Sequence, residues 1–198
     1  MKSLTICLTT QEVEQRLARL GIHCSFSDEE RAALTTTPQV SGLGPTFAFP
    51  IPVDNHLLNL HDIKTCVGTN PHRQPSFFDH PWYANEDFMR QPCAPGWHVV
   101  LMDVLEESVQ QPANYLDSSN TENLQLPSAV EIVLMLFLHY VGTGQQLLLK
   151  KHTWCSDLAS LGRRVTVGAF GRNGVFISGH PPNFASRGLG ICGKLLNR

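Results

Sequence analysis

The chain has 198 residues, enough for a sizeable core and too few for two ordinary domains; 42% of them are hydrophobic and only 16% charged. So thinly charged a surface must be covered by Ser, Thr, Asn, Gln and His, and it opposes association only weakly, which favours a protein partner or self-association. The most apolar run, Ala129 to Val141, contains Glu131 and His139 and falls short of the roughly 20 residues that span a bilayer, so no membrane association is expected.

Met1 to Leu8 is too short and too broken by Thr to be a secretory leader. Thr9-x-x-Glu12 has the form of a capping box, and Val13, Leu17 and Leu20 behind it share a helical face that Gly21 closes. Ser27 to Glu30 repeats the pattern and predicts a second short helix reaching about Leu34. Between Thr35 and Val53 there is no charged residue, and Pro38, Pro45, Pro50 and Pro52 forbid regular helix. Residues 35–45 are thus the candidate hinge, and Thr46 to Pro52, with Phe47, Phe49 and Ile51 alternating, is extended. Helical spacing at Leu57, Leu60 and Ile63 predicts a helix within Asn55 to Val67. Residues 68–81 are loop, 82–89 are one or two helical turns, and Trp97 to Leu105 reads as a strand covered on both faces. Residues 106–126 are polar and turn-rich, an exposed loop of unusual length, and such loops are more often functional or disordered than idle.

Pro127 suits the first position of a helix whose body, Ala129 to Leu138, is apolar nearly all round and must therefore be central. Three antiparallel strands follow, over Gln146–Cys155, Arg164–Phe170 and Val175–Ser178. Gly171-Arg172-Asn173-Gly174 supplies the last two with residues that tolerate positive φ, and Val165, Val167 and Ala169 form the face directed at the helix. Residues 179–198 read as an irregular tail. The fold class is α+β: an antiparallel β-meander packed on a central apolar helix over residues 46–198, with a helical N-terminal part over 1–45 that is either an appendage or built in.

The motifs exclude more chemistry than they offer. Gly188 to Lys194 matches the first seven places of a phosphate-binding P-loop, but Leu195 stands where a Ser or Thr must hold magnesium, and too little chain follows for the required helix. Among nine histidines the nearest to ligand spacing are His56 and His61, whose rings would lie about 140° apart on a helix. No metal and no cofactor is expected. Six cysteines form no C-x-x-C pair, and reduced thiols in the cytoplasm are the default. The candidates for a dispersed catalytic site are His80, His98, His152, Cys155 and Asp157, although His152 and Cys155 would point to opposite faces of a strand. The aromatic residues Phe78, Trp82, Tyr83 and Trp97 are the candidates for a pocket or partner surface.

Charge is uneven along the chain, although the net value is only −2. Seven basic face ten acidic side chains over residues 1–90, six acids stand alone between Arg90 and Lys150, and eight basic residues oppose Asp157 from Lys150 onward. Lys150, Lys151, Arg163, Arg164 and Arg172 are accordingly the candidates for an anionic partner, unless the acidic 103–122 stretch faces them.

Trp82-Tyr83-Ala84-Asn85-Glu86-Asp87-Phe88, Pro95-Gly96-Trp97-His98, Leu126-Pro127-Ser128-Ala129, and Val165 to Phe170 with Asn173-Gly174-Val175 together resemble a group of bacterial proteins of unassigned function, over about residues 77–180. The resemblance implies a bacterial origin and a shared fold, and it carries over no catalytic residue. From the residues, the leading expectation is a cytoplasmic, non-catalytic interaction or accessory protein that binds a protein partner. The alternatives are a hydrolase built on the dispersed His/Asp/Cys set and, third, nucleic-acid binding through the basic C-terminal third.

Overall fold

Ser128 begins the central helix by capping it: its side chain accepts from the Glu131 amide while the Glu131 carboxylate accepts from the Ser128 amide, a reciprocal box. The helix, α5 in chain order, runs Ala129–Thr143 and ends on Gly144 at φ 72°. Every residue from Ala129 to His139 is buried. A helix apolar all round needs cover on all sides, and two sheets and the N-terminal helices supply it.

The computed structural model describes residues 4–36, 38, 44–119 and 123–196. Among them, the remaining helices are α1 (Thr10–Arg19), α2 (Asp28–Ala33), α3 (Leu60–Val67) and α4 (Tyr115–Ser118). The strands are β1 (Thr5–Cys7), β2 (Thr46–Ile51), β3 (Gly96–Leu101), β4 (Leu124–Gln125), β5 (His152–Ala159), β6 (Arg163–Gly171), β7 (Gly174–His180), β8 (Leu189–Gly190) and β9 (Lys194–Leu195). The first sheet has the order β1-β2-β3-β9-β4 and the second β7-β6-β5-β8. Both are mixed, since β1 runs parallel to β2 and β8 parallel to β5. This is the α+β class that the sequence predicts. No helix among the described residues is long and apolar enough to cross a membrane.

Both N-terminal capping boxes form, at Thr9/Glu12 and Ser27/Glu30. Val13 and Leu17 of α1 are fully buried in the same core as α5, and Arg16 donates to the Leu138 carbonyl at 3.0 Å near the end of α5. The N-terminal helical part is thus built into the main core. Most of the candidate hinge, residues 37 and 39–43, lies outside the described residues.

Three elements differ from expectation. The strand expected from Gln146 begins only at His152, because Leu148 turns the chain at φ 52°. In the β6–β7 hairpin positive φ falls on Gly174 (92°) and, within a bulge, on Ala169 (44°), not on Asn173. That bulge shifts the alternation: Ala169 leaves the inner face and Phe170 replaces it, 5.6 Å from Phe137 of α5. Residues 106–126 are not simply exposed either, for Ser108 and Ala113 are buried and the Trp154 indole donates to the Gln111 carbonyl at 3.1 Å. Residues 120–122 of this stretch lie outside the described residues.

The largest correction concerns the tail. Residues 188–195 stitch the two sheets together: β8 lies against β5, β9 lies between β3 and β4, and Ile191 and Cys192 between them are fully buried. The glycines that imitate a P-loop serve close approach, since a Cβ on Gly190 would meet Val104 Cβ at 2.9 Å and one on Gly193 would meet Leu124 Cδ1 at 2.8 Å. Deleting residues 188–198 should therefore lower unfolding stability by at least about 3 kcal/mol, given 1.5–3 kcal/mol for each buried aliphatic side chain. Urea denaturation checks this; an unchanged midpoint would mean a loose tail.

Candidate functional site

The residues singled out from sequence separate into structural and surface groups. Asp157 Oδ2 accepts from the Ala129 amide at 2.6 Å, at the start of α5. Cys155 lies fully buried on the inner face of β5, where burial first, and then the charge of Asp157, pushes its thiol well above the ordinary value. His152, its neighbour in sequence, projects from the outer face and lines a pocket there. His98 is buried in the other sheet, and His80 lies near Phe176, 6.3 Å between ring centroids. The five candidates do not share one cleft.

The aromatic candidates divide likewise. Tyr83 is fully buried and donates to the Phe78 carbonyl at 3.0 Å; Trp82 is half-buried and donates to the Ile177 carbonyl at 3.0 Å. Trp97 is half-buried on β3. Phe78 is half-buried, 5.0 Å from Phe176. Of the basic residues, Lys151 pairs with Asp103 at 2.6 Å, so the acidic stretch does meet the basic third at this point. Arg164 donates to the Ser156 carbonyl, and Lys150, Arg163 and Arg172 are exposed. Arg163 and Arg172 flank opposite ends of β6, about 30 Å apart at 3.3 Å per residue, too far to form one patch.

A constellation that spacing did not reveal lies inside. His98 Nδ1 is 2.7 Å from Glu131 Oε1, His98 Nε2 is 2.8 Å from the Ala94 carbonyl, and Cys93 Sγ is 3.8 Å from Nε2. The order thiol, imidazole, carboxylate is that of a nucleophile, its base and an orienting group, and the same three donors could converge on a metal. Two observations argue for neither use. Burial, with the Glu131 charge adding to it, holds the Cys93 thiol well above its ordinary value. Both imidazole nitrogens already face oxygen acceptors, and Lys194 places an ammonium on Glu131 Oε1. The arrangement is a buried carboxylate held between the His98 imidazole and the Lys194 ammonium. Burial alone would raise the Glu131 pKa; the hydrogen bond and charge of His98, with those of Lys194, outweigh it and bring the group down to about 2.

The other built feature is a pocket of about 260 Å³ on the outer face of the second sheet, open to solvent. Cross-strand register explains its composition. Thr166 of β6 sits opposite Trp154 of β5 and Ser178 of β7, and the adjacent row carries His152, Gly168 and Phe176. His180 closes one end, with the Phe184 ring stacked on it at 4.3 Å, and Ser186 and Leu189 complete the lining. Burial, then the neighbouring His180, lowers the His152 pKa; burial, then Arg163, lowers that of His180, so both imidazoles are neutral at pH 7. Thr166 is 1% exposed, and its hydroxyl has no hydrogen-bond partner among the described residues.

Sequence reading missed Cys93, Glu131, Lys194, Thr166, Phe176, Ser178, His180 and Phe184. Two signals were present. Ser128-x-x-Glu131 is a third capping box, and Phe176, Ser178 and His180 alternate with Val175 and Ile177, which extends the last strand to His180 and defines its outer face. Comparison with protein-family models, with curated proteins and with solved structures found no match.

Glu131→Gln should destabilise the fold by about 3–5 kcal/mol, because it removes the charge against which the largely buried Lys194 ammonium and the buried His98 imidazole are placed. The Glu131 pKa falls from 4.5 to about 2 on folding, so the stability this carboxylate contributes is complete above pH 4.5 and lost as pH falls toward 2. Urea midpoints of wild type and variant should therefore converge across that range. Thr166→Val, in contrast, should keep or raise stability, by up to about 1 kcal/mol, since a buried unpartnered hydroxyl carries an uncompensated desolvation cost; a lower melting temperature would show that the hydroxyl has a partner.

Proposed function

We propose that the protein is a non-catalytic interaction or accessory protein and that the outer face of its second sheet is the surface that receives a protein partner. The observation that carries this reading is the group of half-exposed rings around Phe176: Phe78 at 5.0 Å, His152 at 6.0 Å and His80 at 6.3 Å between centroids. Rings of this kind anchor interfaces because they bury a large area at little cost in side-chain entropy. Leu158 and Leu161, 57% and 92% exposed, lie toward the end of the sheet where His180 pairs with Arg164, and they extend the apolar surface. All six cysteines are unpaired, which suits a reducing cytoplasm. The desolvated thiol of Cys93 and its engaged imidazole weigh against the hydrolase alternative, and the pairing of Lys151 with Asp103 and of Arg164 with the Ser156 carbonyl weighs against nucleic-acid binding.

Site-specific photo-crosslinking in the host cell tests the reading. A photoreactive residue at position 184 should yield a discrete protein adduct that Phe176→Ala weakens at least fivefold, whereas the same residue at Leu149 should yield none. Equal adducts at both positions, or none at 184, would remove it.

A further inference from the structure

We propose that the groove between the 146–151 turn and the first sheet binds a linear alkyl carboxylate, a fatty acid of medium chain length, with its tail along the leucines and its carboxylate at Lys150. The inference goes beyond the partner reading, since no residue of this groove lines the pocket beside Phe176.

The turn has the wrong composition for a plain connection. Turns favour Gly, Asn, Asp and Ser, yet Leu147, Leu148 and Leu149 follow one another here, and the Lys151 amide donates to the Leu148 carbonyl at 3.2 Å. Leu148 holds φ 52°, a left-handed conformation that bulky side chains rarely adopt. Strain of this kind persists only where the surroundings enforce it, and it gathers at functional positions. With the chain so turned, Leu148 is buried while Leu149 stays 56% exposed.

Leu149 is not a solitary surface leucine. A groove of about 600 Å³ lies beside it, inside the range of roughly 300–1,000 Å³ that ligand sites occupy. Met102 and Leu148, both buried, form its floor, and Leu4, 63% exposed, Pro45, Leu147 and Leu149 form its sides. These residues come from the start of β1 and β2, the end of β3 and the turn, so the fold gathers an apolar surface that the described residues leave open. The lining has no aromatic ring on which a planar ligand would stack. Leu and Met side chains conform instead to an alkyl chain.

Charge then fixes the head group. Of the polar residues in the lining, Lys151 pairs with Asp103 at 2.6 Å and the Gln146 amide donates to the Gly171 carbonyl at 3.0 Å. Lys150 is exposed and pairs with no carboxylate among the described residues, so it is the uncommitted charge of the groove. An adjoining cavity of about 410 Å³ shares Pro45, Asp103 and Lys151 but adds the Glu106 carboxylate, which repels an anion. The anionic end therefore belongs at Lys150.

Octanoate, kept below its micelle concentration, is the probe, titrated into methyl-labelled full-length protein and followed by two-dimensional NMR. It should shift the Met102 and Leu148 methyl signals saturably and leave the methyl groups of Leu189, in the other pocket, in place. Affinity should rise at least fivefold from hexanoate to octanoate, because each fully buried methylene adds roughly three- to fourfold. Lys150→Glu should weaken octanoate about fivefold and leave octan-1-ol unchanged. Leu149→Asp, at an exposed position, should weaken octanoate at least tenfold with an unchanged melting temperature. Unmoved Met102 and Leu148 signals, equal shifts at Leu189, no gain with chain length, or equal affinity for octyltrimethylammonium would each overturn the proposal. So would full affinity in Lys150→Glu, or a discrete protein adduct from the photoreactive residue at Leu149, which would assign the groove to a polypeptide. Absence of an adduct at position 184 removes the partner reading alone and leaves this site standing.

Discussion

One buried carboxylate ties the architecture together. Glu131, 3% exposed, closes the capping box that starts α5, receives His98 from β3 and holds Lys194 from β9. A carboxylate so placed is unfavourable unless its partners are in position, and each partner is equally unfavourable without it. The start of the central helix, the middle of the first sheet and the C-terminal strand are therefore located by the same charge. This explains why an irregular-looking, glycine-rich tail is ordered: Lys194 must reach the carboxylate, and Gly190 and Gly193 let the backbone pass close enough to Val104 and Leu124 for it to do so.

The two faces of the second sheet have opposite roles. Val165, Val167 and Ile177 are buried against the core, and the bulge after Gly168 brings Phe170 onto the same inner side. The outer face is covered only in part: residues 111–113 and 182 close over Trp154, whose indole bonds to Gln111, while Ala113 donates to the Pro182 carbonyl at 3.0 Å. What stays open is the pocket with Thr166 at its base. A satisfied network at Glu131 and an unsatisfied hydroxyl at Thr166 are opposite solutions to the burial of polar groups. The first ties distant elements together, and the second is a desolvation cost that the rest of the fold outweighs.

The sequence was most informative where the determining interactions are short-range. The capping boxes at Thr9 and Ser27, the Gly174 turn and the all-apolar body of α5 are set by contacts within four residues or by simple periodicity, so the helices, the hairpin and the α+β class could be read directly. The chain alone determined that α5 had to be central, because no single face of it could be left to water. Tertiary structure decided everything that depends on distant residues meeting. Glu131 lies 33 residues from His98 and 63 from Lys194, and His152 reaches Phe176 only through strand pairing across β6. Spacing along a chain carries no information about such encounters, which is why the tail looked loose and why Cys155 and Asp157 looked like neighbours of His152.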